Sequence, residues 1–436
     1  MQKIKTFLKK IPRHWLTAAS GWIGKIIVSL VQIVSIRTLL FYLGEERYAV
    51  YIIAYSLFGW FTFAQFSMGQ SVQNFISQCR AQNKSFDKYL LASLQICFFL
   101  FLICLVFTFL LSNSVQAKLF AKFSNIAEIR QMPIVLAVGI MSLVYAFSSI
   151  VYSIYFSLHK GYLPNILPAV SSSISMLLIV IFNRYHLYNS ISSALIIFLL
   201  PQALLPIPPF IKIFKSFFRK IFLFDMTAVK EVFIRGLKLH GIACMGAAYG
   251  MIDYLIMSRT APPNEIISYN IFMRIFSSAV FMYSALLGAI YPIIAEQFVK
   301  KEFSEIKRRL KKYVLYGFAL MSACGIGTFI FRDLIVSILA PNIDGIDKSF
   351  LFLALIVVCM FIRIIYMACG SFLTSINAVR LLWIVLPVML ILNAAFQYYF
   401  SKLWGINGIV IGLALSMLLT VSWILPLKIK KILSEK

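Results

Sequence analysis

The stretch SFLFLALIVVCMFIRIIYMACGSFLTSI, residues 349–376, decides how the rest of the chain reads. It stays apolar for longer than the roughly 20 residues an α-helix needs to cross a bilayer. Its one charged residue, Arg363, lies about 14 residues in, roughly 21 Å by helical rise and so near mid-depth. A guanidinium at that depth is costly against acyl chains and belongs in a bundle interior or a hydrated cavity. Tyr366 and Gly370 follow one and two turns later on the same face.

The other 400-odd positions repeat that pattern. The chain has 436 residues, of which 61% are apolar and 13% charged. Soluble proteins carry roughly 25% charged residues, so an ordinary soluble enzyme is excluded. Reading with a helix-length window gives about twelve spans. They run near 15–42, 48–70, 89–112, 132–157, 163–183, 189–211, 236–258, 266–294, 312–331, 349–376, 381–400 and 405–427. The expected fold class is all-α and polytopic. Met1–Pro12 is basic and no small-residue cleavage site follows, so the first apolar run reads as a retained span.

The formal charge of +26, from 41 Lys+Arg and 15 Asp+Glu, would suit nucleic acid if it sat on a globular domain. It sits mostly in short loops between apolar runs, so no nucleic-acid partner is expected. Alternate loops differ in basic content by roughly three to one, which predicts both termini on the cytoplasmic side. The basic loops include Arg80–Lys88, Lys212–Arg235, Lys300–Lys312 and Lys428–Lys436.

The chain also repeats at about half its length. Arg37-Thr38, a turn, Glu45 and Tyr48 are matched by Arg259-Thr260, a turn, Glu265 and Tyr269. Six spans per half bring both halves in from the same side, as parallel repeats. The expected division is a lobe over 1–211, a basic amphipathic cytoplasmic linker over 212–235 and a second lobe over 236–436. Pro206, Pro208 and Pro209 are expected to end the sixth span. Beyond them, Phe214, Phe217, Phe218, Phe222 and Phe224 alternate with Lys215, Arg219 and Lys220. They read as a surface helix facing anionic headgroups, or as a plain basic linker.

Three more ionisable groups sit well inside spans. Lys25 shares a stripe with Ser29 and Gln32, Arg274 one with Asn270, Ser277 and Ser278, and Asp253 is the one deep acid. Lys25 and Arg274 could snorkel to an interface. Asp253 and Arg274 could form an ion pair, or Asp253 could be a protonation switch. Lys25, Arg274 and Arg363 against one Asp253 describe a cationic lumen suited to a phosphate or carboxylate, for which Arg supplies a planar fork. Gln32, Asn270 and Tyr366 are its expected polar support.

These features resemble one known family. Two six-span lobes, a basic link, a cationic interior and the stretch from Arg37 to Tyr51, followed by Gly59 and Met68-Gly69, look like the polysaccharide-exporter branch of the multidrug/oligosaccharidyl-lipid/polysaccharide (MOP) superfamily. Ala49 stands where many relatives carry Gly. Within that branch the chain is most similar to the O-antigen flippases of the Wzx type. The resemblance implies a MATE-like fold and a bacterial inner-membrane location. It implies an undecaprenyl-pyrophosphate-linked oligosaccharide as substrate, moved from the cytoplasmic to the periplasmic leaflet by alternating access. It further implies coupling to an H+ or Na+ gradient or to the membrane potential; Asp253, as the one deep acid, is the residue expected to serve it. A polymerase and a chain-length regulator of the O-antigen pathway are the implied partners.

Competing readings are weaker. A multidrug antiporter for cations would want several lumen acids. A membrane glycosyltransferase or O-antigen polymerase would want a sizeable outer loop with catalytic groups. A lipid II flippase would share the architecture. No P-loop, CxxC pair or histidine cluster is present, so neither ATP-driven transport, nor a metal, nor a cofactor is expected.

Overall fold

A computed structural model describes residues 13–434 apart from 132, 159, 186–189, 342, 344, 377 and 379. The basic residues Lys3, Lys5, Lys9, Lys10 and Lys436, with His159 and His186, lie outside the described residues. Every regular element among the described residues is helical. Nine helical stretches among them are long and apolar enough to cross a membrane. Asp87–Leu119 shows why: Ile103, Val106, Phe107 and Leu110 are all exposed on it. So many large apolar side chains turned outward suit a bilayer as solvent, and a helix satisfies its own backbone there.

The expected eleventh and twelfth spans form one of these stretches, Arg380–Ser434. They part at Trp404 and Gly405, where Gly405 takes φ 54°. Only glycine adopts that conformation freely, so the turn falls there and not at Lys402. Past the turn, the Ile406 N–H donates to Glu265 Oε2 at 2.9 Å, a carboxylate on a fresh helix N-terminus. The two arms then meet backbone to backbone. A Cβ on Gly408 would lie 2.0 Å from the Phe400 carbonyl oxygen, and one on Gly412 2.5 Å from the Gln397 nitrogen. Small residues four apart permit this close approach in membranes.

The second and seventh of the expected spans are among those that form broken helices. The second comprises Glu45–Thr62 and Met68–Ala81, parted by a tight turn at Phe63–Gln65 and left-handed Phe66 and Ser67. The seventh comprises Met226–Tyr249 and Ile252–Thr260, parted at Gly250 and Met251.

The linker differs from expectation. Pro208 and Pro209 do not end the sixth span; they open the helix Ile207–Phe214, where a missing N–H costs nothing. Nor does a single surface helix run through the Phe-rich segment. Phe214 is fully buried, the chain turns at Lys215–Phe217, and only a short 3-10 turn, Phe218–Lys220, follows.

The chain forms two compact units. The first comprises Met1–Val31 and Ile53–Cys244. Its core gathers Met68, Val72, Phe75, Leu94, Phe147 and Phe214. The second comprises Gln32–Ile52 and Met245–Lys436. Buried in it are Tyr48, Tyr269, Phe276, Tyr283 and Phe372, with Phe272 edge-on to Phe352 at 5.9 Å. Helices Pro263–Val299, Phe303–Ile330 and Phe350–Ser375 converge at Gly317. A Cβ there would lie 2.4 Å from Ile364 and 2.9 Å from Tyr283.

Candidate functional site

The break at Gly250 and Met251 creates a helix N-terminus deep in the second unit. Asp253 sits in its first turn, where unpaired N–H groups favour an anion. Its carboxylate is buried and accepts the Tyr269 hydroxyl and, at 2.9 Å, the Tyr254 N–H. A buried carboxylate needs such donors to remain tolerable.

Helix Pro263–Val299 brings the next side chains on one face. Tyr269, Met273 and Ser277 recur four apart, with Asn270 and Arg274 alongside. Arg363 comes from helix Phe350–Ser375 and Leu413 from the last hairpin. Together Tyr249, Asp253, Tyr254, Tyr269, Arg274 and Arg363 line a cavity of about 120 Å³. It has room for a few waters or the oxygens of an anion, and not for an oligosaccharide. Two guanidiniums and one carboxylate therefore share one small polar space.

The two arginines differ in setting. Arg274 Nη1 donates to the Gln32 carbonyl oxygen at 2.6 Å and to Ser35 Oγ at 3.4 Å. It fastens residues 32–52 into the unit while also lining the cavity. Arg363 lies within electrostatic range of Asp253, Tyr249 and Tyr366. The hydrogen bonds described for Asp253 go to tyrosine groups, and those described for Arg274 go to Gln32 and Ser35.

The structure thus brings together Arg274, Arg363 and Asp253. Gln32 joins them through its main-chain carbonyl. Asn270 bridges two tyrosines: its Nδ2 donates to the Tyr254 hydroxyl at 2.9 Å, and its Oδ1 accepts the Tyr48 hydroxyl at 3.4 Å. Tyr366 stands one turn from Arg363 and is not among the lining residues. Lys25 is half-buried and belongs to the first unit.

Sequence reading missed Tyr249 and Tyr254. Tyr48 and Tyr269 carried a signal, as matched positions of the internal repeat. A second buried layer supports Tyr249. Asn393 Nδ2 donates to its carbonyl oxygen at 3.4 Å, and Gln397 and Ser416 donate to Asn393 Oδ1 at 2.9 and 3.3 Å.

The sequence signature described as MatE matches residues 242–399. A Salmonella typhi protein named as a candidate O-antigen transporter is 32% identical over 98% of this chain and 98% of its own length. An inward-facing multidrug resistance MATE family transporter of the MOP superfamily superposes with a TM-score of 0.76 at 13% identity, over 94% of this chain and 95% of that one. The lipid II flippase MurJ, in an inward closed conformation, gives 0.71 at 16% identity, over 95% and 87%. At those identities the structural likeness establishes the fold.

Proposed function

This chain belongs to the polysaccharide-exporter branch of the MOP superfamily and is a multi-pass membrane transporter, and we propose that it is a flippase for a lipid-linked oligosaccharide. The substrate is an undecaprenyl-pyrophosphate-linked O-antigen repeat unit. It moves from the cytoplasmic to the periplasmic leaflet of a bacterial inner membrane by alternating access. The observation that carries this reading is the shared cavity of Arg274, Arg363 and Asp253. A diphosphate needs cations arranged in forks, and two guanidiniums supply them.

A cavity of about 120 Å³ suits the charged part of the head and is too small for the sugars. Asp253 and an entering phosphate compete for Arg363, since both are anions within its reach. Protonation of Asp253 resolves that competition, and this is where an H+ gradient enters the cycle. Lys25, in the first unit, is a further cation proposed to meet the anionic head.

Replacing Arg363 with Ala tests the proposal. At normal protein levels it should abolish surface O-antigen and leave lipid-linked repeat units on the inner face. Wild-type surface output from that variant overturns it.

A further inference from the structure

The first unit carries an open pocket of about 890 Å³ on the face that the basic loops mark as cytoplasmic. Asp225 caps the helix Met226–Tyr249, accepting the Thr227 and Ala228 N–H groups at 3.1 Å. That start sets Thr227, Lys230, Glu231, Ile234 and Arg235 along one helical face, and all five line the pocket.

Arg235 is held in place. Its guanidinium lies 3.9 Å over the Phe75 ring and donates to Gln78 Oε1 at 3.2 Å. Phe75 stacks on Tyr89 at 4.3 Å, and Lys88 Nζ lies 4.8 Å over Tyr89. The result is a four-layer stack of cation, ring, ring and cation. Tyr89 also donates to Glu231 Oε2 at 3.1 Å, which occupies the one carboxylate lining the pocket.

The rim is apolar. Met226 and Ile234 are exposed, as are Phe222, Leu223 and Phe224 just before them. Gln95 Nε2 donates to the Ile221 and Leu223 carbonyl oxygens at 3.0 and 2.9 Å, so this exposed run is pinned in place. Three consecutive exposed apolar residues beside Lys215, Arg219 and Lys220 match the pattern of a leaflet anchor: hydrocarbon contact plus attraction to anionic headgroups.

We propose that this pocket binds the head group of an anionic phospholipid of the adjoining leaflet. Lys230 and Arg235 meet the phosphate, Thr227 offers its hydroxyl, and Phe222, Leu223, Phe224 and Met226 lie among the acyl chains. A plain phospholipid is favoured over a glycosylated one by the stack itself. Phe75 and Tyr89 stack on each other and each carries a cation, Arg235 and Lys88, so both rings are already engaged rather than offered to a sugar.

The test uses the full-length protein in equimolar phosphatidylglycerol and phosphatidylcholine, with retained lipid counted by mass spectrometry after partial delipidation. Wild type should retain phosphatidylglycerol selectively. Lys230→Gln, at an exposed position, should cut that selectivity several-fold, and Lys230→Gln with Arg235→Gln by about tenfold or more. Lys230→Gln with Arg235→Lys should retain more of it than Lys230→Gln with Arg235→Gln. Unchanged selectivity in Lys230→Gln and in the double variant overturns the proposal. So does displacement of the lipid by inorganic phosphate alone, or preferential retention of undecaprenyl phosphate. Arg363→Ala should keep the phosphatidylglycerol preference, so loss of surface polysaccharide there bears on transport alone.

Discussion

The Arg274 guanidinium donates to the main-chain carbonyl of Gln32 at 2.6 Å, joining positions 242 residues apart within one compact unit. A charged donor on a carbonyl contributes about 1.5–3 kcal/mol. Arg274→Ala should therefore lower the unfolding temperature as well as transport, whereas Arg274→Lys should regain part of the stability. Thermal unfolding of the detergent-solubilised protein separates the two effects. An Ala variant that unfolds like wild type but does not transport would make Arg274 a substrate contact only.

Asp253→Asn removes the charge and keeps one acceptor oxygen, for the Tyr254 N–H, while its amide N–H can donate to the Tyr269 hydroxyl oxygen. The variant should fold at wild-type levels and lose the dependence of transport on the H+ gradient. Reconstituted vesicles with and without that gradient provide the measurement. Persistence of gradient-driven transport would exclude Asp253 as the coupling group.

Tyr269→Phe withdraws one donor from the buried carboxylate. Leaving that group short of a partner costs about 1–3 kcal/mol. The loss should shrink in the double variant with Asp253→Asn, because the uncharged amide needs the donor less. A double-mutant cycle on unfolding reads the coupling directly.

Gly405→Ala meets two obstacles: φ is 54°, and the new Cβ would lie 2.9 Å from both Glu265 carboxylate oxygens. At φ 54° and ψ −132° the backbone lies outside the left-handed helical well, in a region essentially reserved for glycine, so strain alone costs about 1–3 kcal/mol. Gly408→Ala should be worse, since its Cβ would meet the Phe400 carbonyl oxygen at 2.0 Å. Membrane abundance and unfolding temperature should fall in that order.

Outside the spans, Lys348 Nζ sits 2.5 Å from Asp333 Oδ1 and holds its carboxyl below the ordinary 3.8. A lowered carboxylate value means that this contact stabilises above the ordinary value and is lost as pH falls through the lowered one. Both partners are well exposed, so Asp333→Asn should shift unfolding at neutral pH only slightly, and less in high salt.

The sequence was most legible where a rule of the bilayer applies. Apolar run length located the spans, and Arg363, Arg274 and Asp253 stood out because charge in such runs is expensive. The tyrosines around Asp253 were harder to see. The chain has 21 tyrosines, and nothing in composition separates a buried donor from one at a membrane interface. The contribution of Gln32 could not be read at all, because its carbonyl is common to every residue. The turn at Phe66 and Ser67 was equally hidden, since neither residue type signals a left-handed backbone. Pro208 and Pro209 misled for the opposite reason: a residue that breaks a helix interior also suits a helix start.

The glycine seam of the closing hairpin has a mechanical consequence. Where main chain rests on main chain, no rotamer lies between the arms to take up slip. The arm with Asn393 and Gln397 and the arm with Ser416 are thereby locked to each other in one register. The polar bridge under Tyr249 is built on that locked pair, so the floor of the cavity is held by both arms at once.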